Sequence, residues 1–344
     1  MNHASKQSVA VAIVGAGSIG CYLGGCLATS QTQVTLIGRP RIQQQISEFG
    51  LKLTDWRGRD LHIYSEQVVF SLNVADIAEA DYILVTVKSG DTAEAAQSIA
   101  QHAKPSAVIV SFQNGVRNVD TLKAYLPDHS VLKGMVPFNV LSKGNGHFHC
   151  GTEGNLAIED MGTSSTDLIA VLNACGLTVD IYDDLQGVQW SKLLMNLNNA
   201  INALSGMPLQ AQLQDKQYRK VLALAIKEAL AVFKVAGIKP VKTGKVVPVL
   251  LPSILSLPNG IFKLVAASML KMDPQARSSM YEDLTLQRKT EIDYINGEIV
   301  KLGQKINVKT PINSGITELI KQAEQARQGS PMLSSSLLYQ RVID

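Results

Sequence analysis

The chain has 344 residues, of which 46% are hydrophobic and 18% charged, with 26 glycines and 12 prolines. That length suits two domains, and that composition buries large cores, which excludes disorder over most of the chain. Thirty-two basic against 29 acidic residues leave a formal charge of +3 with no long Lys/Arg block, a poor basis for general nucleic-acid binding.

The polar start, MNHASKQS, runs straight into a strand and offers no apolar region of a signal peptide. Apolar runs then predict a strand over 9–15, a helix over 18–29, a strand over 33–38 and a hairpin over 51–64 that turns at Arg57-Gly58. Val- and Ile-rich runs predict buried strands over 81–88 and 107–115. Further β segments follow at 131–136, 147–150 and 155–159, and a last one, LTVDIY, at 177–182. Strands alternating with helices imply βαβ units and a mostly parallel sheet covered on both faces. From about Asp184 a 3.6-residue period takes over and predicts helices over 186–204, 215–235, 261–271, 279–303 and 312–326. The expected architecture is α/β: an N-terminal Rossmann-type doubly wound domain over 1–184 and an all-helical domain over 185–344. The tail from Gln328 is expected to be partly loose. The most apolar stretch, 246–257, is interrupted by Pro248 and Pro252 and is far shorter than the roughly 20 residues of a membrane span. Four cysteines make no disulfide framework and read as buried thiols of a cytoplasmic protein.

After the first strand, Gly15-Ala16-Gly17-Ser18-Ile19-Gly20 fits G-x-G-x-x-G. Gly15 permits a tight turn, Gly17 lets backbone approach a pyrophosphate, and Gly20 permits close helix–strand contact. The following helix offers free N–H groups to phosphates. The pattern alone is weak; its place between a strand and a helix makes dinucleotide binding the reading. The second strand ends Gly38-Arg39-Pro40-Arg41, without the carboxylate that accepts ribose hydroxyls in NAD-binding sites. Arg39 is the better placed guanidinium for a 2′-phosphate, so the predicted cofactor is NADP(H). Lys88 and Asn114 each end a buried strand, where an open α/β sheet forms its ligand crevice.

The first helix of the second half places Lys192 and Asn196 four residues apart, on one face, among apolar neighbours. Asn196, Asn198, Asn199 and Asn202 are a poor choice for helix stability, and such breaks in local preference often mark function. A lysine there can donate to a carbonyl oxygen and protonate the alkoxide. Ser279 with Glu282 fits a capping box, so Ser279 is expected to start a helix. His147 and His149 lack companions at metal-ligand spacing, and no metal is expected.

These motifs together resemble the ketopantoate reductase (2-dehydropantoate 2-reductase) family, over about residues 9–326. The resemblance rests on GAGSIG, Lys88 in VTVK, the QNG at 113–115, WxKLxxN at 190–196 and SSM…RKTEIDYINGEIV at 278–300. It implies a Rossmann domain and a helical domain with the active site in the cleft between them. It implies Lys192 as general acid, Asn196 and Ser279 as substrate contacts, and Asn114 touching both nicotinamide and substrate. Lys88 and Glu291 become cofactor contacts. It further implies NADPH-dependent reduction of 2-dehydropantoate, a small 2-oxo acid, in pantothenate biosynthesis. No nucleic acid or membrane partner is implied, and a homodimer through the helical half is compatible with the sequence.

Two positions depart from the family pattern, Ala200 and Gln210, where asparagines are common. The substrate's distal hydroxyl must then find another partner, and Asn199 and Asn202 are nearest. These departures keep open a sister reductase of another 2-oxo acid or an imine. A non-catalytic NADP(H)-sensing protein is the alternative of a different class. Ser279 and Glu291 are twelve residues apart, about 18 Å along a straight helix, so both reach one small substrate only if that stretch bends or starts later.

Overall fold

The computed structural model describes residues 9–30, 32–160, 162, 164–242, 247–267 and 273–343. The N-terminal octapeptide lies outside them, as do residues 268–271 of the helix expected over 261–271, which spans Asn259–Val265 and closes at Ala266. The chain divides into two compact units, residues 1–185 and 186–344.

In the first unit the strands are β1 (Ala10–Val14), β2 (Gln33–Ile37), β3 (Leu51–Asp55), β4 (Asp60–Ile63), β5 (Val69–Ser71), β6 (Tyr82–Val85), β7 (Val108–Ser111), β8 (Ser130–Met135), β9 (Val140–Gly144), β10 (His147–Cys150), β11 (Leu156–Glu159) and β12 (Val179–Tyr182). The helices are α1 (Ser18–Leu27), α2 (Pro40–Phe49), α3 (Thr92–His102), α4 (Asn118–Tyr125) and α5 (Thr166–Ala174). Eight strands form one sheet in the order β12-β11-β8-β7-β6-β1-β2-β5. All its pairs are parallel except β8 with β11. The apolar runs of β1, β6 and β7 are buried because both sheet faces are covered. Strand order reverses at β1, which lies between β2 and β6, so the carboxyl ends of these strands and of β7 are neighbours.

The second sheet, β4-β3-β10-β9, is only partly what the sequence suggests. The β3–β4 hairpin turns at Arg57-Gly58 as expected. The pairing of β10, parallel to β3 and antiparallel to β9, is an addition. A turn through Asn145 and Gly146, both at positive φ, joins β9 to β10. Helix α1 lies between the two sheets. A Cβ on Gly24 would stand 2.4 Å from Leu36 of β2, and one on Gly25 would stand 2.7 Å from Leu53 of β3.

The second unit is helical: α6 (Gln186–Ser205), α7 (Leu209–Gln214), α8 (Lys216–Ala236), α9 (Leu251–Leu255), α10 (Asn259–Val265), α11 (Ser279–Thr285), α12 (Asn296–Lys305), α13 (Pro311–Ala326) and α14 (Ser335–Ile343). The helix expected over 279–303 is in fact α11, a short 3-10 turn (Ile292–Tyr294) and α12. Gln287 adopts a left-handed φ of 52°, and the Arg288 N–H donates to the Asp283 carbonyl at 2.8 Å, which closes α11. The cap of α11 is Ser278, not Ser279: its Oγ accepts the Tyr281 N–H at 3.2 Å. The tail is not loose. Tyr218 donates to the Leu333 carbonyl at 2.6 Å, the Leu333 N–H donates to Leu204 at 2.8 Å, and Leu338 of α14 is fully buried.

Two asparagines of α6 hold this unit together. Asn202, with no exposed surface, accepts the Ser278 N–H and donates to the Met207 carbonyl, both at 2.9 Å. Asn198 exchanges two hydrogen bonds with Gln212 of α7, at 3.2 and 3.0 Å. Asn202→Ala leaves the buried Ser278 N–H and Met207 carbonyl without these partners, so stability should fall by about 1–3 kcal/mol. Denaturant unfolding measures this, and an unchanged midpoint would contradict the role.

Candidate active site

In the first unit the chain turns at Gly15 directly against β6. Its φ is 107°, and a Cβ there would meet the Val87 nitrogen at 2.5 Å. Thr86 fastens the turn by donating from its hydroxyl to the Gly15 carbonyl at 2.8 Å. Gly17 is the N-cap of α1; no side chain caps it, and the first turn has no acidic residue. The N–H groups of Ser18, Ile19 and Gly20 therefore stand at the positive end of the helix dipole, where an anion is favoured. A Cβ on Gly17 would meet only the Gly15 carbonyl oxygen, at 3.9 Å, so this side of the loop is open. The cradle fits a pyrophosphate.

Arg39, at the end of β2, is the N-cap of α2 and is exposed. Its guanidinium lies 3.5 Å from the Asp91 carboxylate. Sequence could not pair these residues, 52 positions apart; the order β2-β1-β6 does. Arg41 is exposed on the first turn of α2.

Lys88 follows β6 and caps the 3-10 turn Ser89–Asp91. Asn114 follows β7. A buried polar network, absent from the sequence reading, ties these two loops together. Gln113 accepts from Ser111 at 3.0 Å and donates to the Val87 carbonyl at 3.1 Å and to Thr92 at 2.7 Å. Ser89 donates to the Asn114 carbonyl at 2.7 Å, and the Asn118 amide donates to the same carbonyl and to Ser89. Asn114 lies in the loop after β7 and Asn118 opens α4, so no regular spacing announces the network.

In the second unit α6 presents one open stripe. Gln189, Lys192, Met195, Asn196 and Asn199 are half-buried, whereas Trp190, Leu193, Leu194, Leu197, Ala200 and Ile201 are buried. Desolvation pushes the Lys192 ammonium from its usual 10.5 down to about 8, and the Glu291 carboxylate pulls the other way. Glu291 acts there because the chain breaks after α11. Its segment is held to α13 by the Thr290 N–H donating to Glu324 at 2.7 Å and by an Asp293–Lys321 ion pair at 2.8 Å. Ser279 is exposed at the first turn of α11, next to Ser278, which donates to the Asn199 carbonyl at 2.9 Å. Ser278, beside Ser279, and Glu291 thus act on α6 at different turns, at Asn199 and Lys192, and no straight helix joins Ser279 to Glu291.

The cysteines offer no nucleophile. All four are buried and unpaired, and burial raises the Cys26 thiol to about 12 despite a hydrogen bond from Arg59 at 2.8 Å. Among the described residues no group of three or more metal-ligating side chains occurs. His147 and His149 instead share the Thr54 hydroxyl, at 2.8 and 2.7 Å. Among the described residues no helix is long and apolar enough to cross a membrane.

Residues 11–163 match the family model described as Ketopantoate reductase PanE/ApbA, and residues 184–324 match that of its C terminal part. The chain belongs to the ketopantoate reductase family. As a member it is an oxidoreductase, and a nicotinamide dinucleotide fits its glycine loop. The 2-dehydropantoate 2-reductase of Archaeoglobus fulgidus is 24% identical over 323 residues, covering 91% of this chain and 97% of that protein. That of Pyrococcus abyssi is 28% identical over 324 residues, covering 91% and 97%. The crystal structure of a PanE/ApbA family ketopantoate reductase from Ralstonia eutropha superposes with a TM-score of 0.79 at 31% identity, covering 93% of this chain and all of that one. A D-mandelate dehydrogenase solved with NADH and anilino(oxo)acetate has the same fold, with a TM-score of 0.76 at 23% identity and coverage of 93% and 99%.

The open side of Gly17 yields a clean test of the ketopantoate reductase loop. Gly17→Ala should keep the wild-type melting temperature, because its methyl group touches little. It should weaken binding of both NADPH and NADH at least tenfold, because the methyl stands where phosphates approach. Fluorescence titration measures both, and an unchanged Kd would remove the pyrophosphate from this loop.

Proposed function

We propose that the protein reduces 2-dehydropantoate to pantoate with NADPH, in pantothenate biosynthesis, as a cytoplasmic enzyme. The observation that carries this reading is the half-buried Lys192, under the influence of Glu291 and one turn from Asn196 on the open stripe of α6. A protein that only sensed dinucleotide would have no use for this constellation.

When bound, the nicotinamide supplies a hydride. The first unit's residues hold the dinucleotide: the glycine loop takes the pyrophosphate, Arg39 the 2′-phosphate, and Lys88 and Asn114 the groups beyond the ends of β6 and β7. Lys192 donates a hydrogen bond to the 2-keto oxygen, stabilises the negative charge that grows there, and passes its proton to it. The lysine then recovers a proton from water. A value of about 8 suits an acid working near neutral pH, since the proton is held yet readily given. Glu291 keeps the ammonium charged against the desolvation around it. Asn196 and Ser279 orient the substrate.

Arg39→Ala should weaken NADPH binding and leave NADH binding almost unchanged, because the lost contact is to the 2′-phosphate. Equal losses for the two cofactors, read by fluorescence titration, would assign Arg39 another role.

Lys192→Ala should lower kcat by about 10²–10⁴-fold with NADPH affinity kept. The working form is protonated, so wild-type kcat/KM should decline as pH rises through about 8. Glu291→Gln removes the group that raises the lysine and should move that decline to lower pH. A variant at Lys192 that keeps most of its kcat would end its assignment as the acid.

A further inference from the structure

We propose that Asp91 is a specificity-determining residue for the cofactor: its carboxylate opposes a 2′-phosphate and accepts the ribose hydroxyls of the cofactor that lacks one, so that the protein takes NADH as well as NADPH. This rests on the reading of Arg39 as the residue that meets the 2′-phosphate.

The end of β2 is tied to one side of the glycine loop. The Gly15 and Ala16 N–H groups donate to the Ile37 carbonyl at 3.0 and 2.8 Å. Gly38 follows, and a Cβ there would stand 2.8 Å from that of Ala16 and 2.6 Å from the Phe70 ring. Arg39 therefore leaves the chain directly beside the phosphate cradle. The end of β6 is tied to the same loop by the Thr86 hydroxyl on the Gly15 carbonyl. Asp91 closes the 3-10 turn that follows, and its N–H donates to the Lys88 carbonyl at 2.9 Å. Ser89 and Thr92 are buried on either side of it. The Thr92 hydroxyl donates to the Ser89 carbonyl at 2.9 Å and accepts from Gln113 at 2.7 Å. The backbone of Asp91 is thus anchored from within, while its carboxylate stays accessible.

The two side chains meet at 3.5 Å, and among the described residues neither has another ion-pair partner. With the arginine side chain 80% and the aspartate side chain 48% exposed, the pair adds little to stability. Its consequence is for whatever binds next to Arg39. A phosphate monoester carries about −1.5 to −2 charges at neutral pH. A 2′-phosphate held by this guanidinium lies close to a carboxylate of its own sign and has to share Arg39 with it. A ribose with both hydroxyls free has the opposite need, since its O–H donors are satisfied by a carboxylate. NAD-binding sites supply that acid from the end of the second strand. Here the second strand supplies Arg39, and the acid arrives from the far side of β1, because β6 is the other neighbour of β1 in the sheet.

The test is fluorescence titration of the full-length protein with NADPH and NADH. Wild type should bind the two with Kd values within about tenfold of each other. Asp91→Asn removes the charge and keeps the shape, and should tighten NADPH about five- to tenfold. Asp91→Ala removes the hydroxyl acceptor as well, and should weaken NADH about fivefold while still tightening NADPH. Shifts of opposite sign distinguish this role from a structural one, because a loosened loop weakens both cofactors. A wild-type preference for NADPH beyond about tenfold, Asp91 variants that weaken both cofactors, or variants that move neither, would overturn the proposal. Arg39→Ala separates it from the reading beneath it. If that variant weakens NADPH alone while the Asp91 variants shift nothing, the reading of Arg39 stands and the proposal falls; if it weakens both cofactors equally, both fall.

Discussion

Helix α1 has no room for side chains at two adjacent positions, about 100° apart around its axis, and the first unit is arranged around that fact. Gly24 brings it against Leu36 of the large sheet, and Gly25 brings it against Leu53 of the small one. A helix seated this closely cannot slide or tilt without a clash, so its first turn is held where β1 ends. The pyrophosphate cradle is thus a product of packing some ten residues away, as much as of its own glycines. The same contact explains why the unit needs a second sheet: without β3 and β10 the outer face of α1 would be exposed apolar surface.

The polar parts of the site follow a different principle. At the ends of β6 and β7 the loops have no regular structure to satisfy their backbone groups. Gln113, Ser89, Thr92 and Asn118 do so from inside. Each is bonded to another member of the group, so the loops carrying Lys88 and Asn114 are fixed as a pair. In the helical unit, Asn202 and Ser278 do the equivalent work for α6 and α11. The side chains that hold these segments still, Gln113, Ser89, Thr92, Asn118, Asn202 and Ser278, are all buried.

What could be read from the sequence was local. The apolar runs of β1, β6 and β7, the glycine loop and the long periods of α6, α8 and α13 each carry their own signal within one window. What was missed depends on partners far apart in the chain. β10 pairs with β3 across more than ninety residues. Asp91 meets Arg39 only because of strand order. α14 reads as a polar tail until Leu338 finds its pocket. The stretch 279–303 keeps helical periodicity throughout, yet Gln287 turns left-handed, and periodicity cannot report one residue's φ. Asparagine identity showed that α6 was unusual, whereas burial and hydrogen bonding decide which asparagines face outward.

Lys192 also links chemistry to folding. In an unfolded chain its ammonium would hold its proton up to about pH 10.5; in the folded protein it releases it near 8. Below 8 the native state therefore carries a charge that it solvates less well than water does. Between those two values the unfolded form binds the extra proton, so this residue's contribution to stability improves as pH rises. In the role proposed for Lys192, the conditions that would silence the acid are those in which the helix bearing it is most at ease, and the protonated form is, at this one position, the less comfortable one.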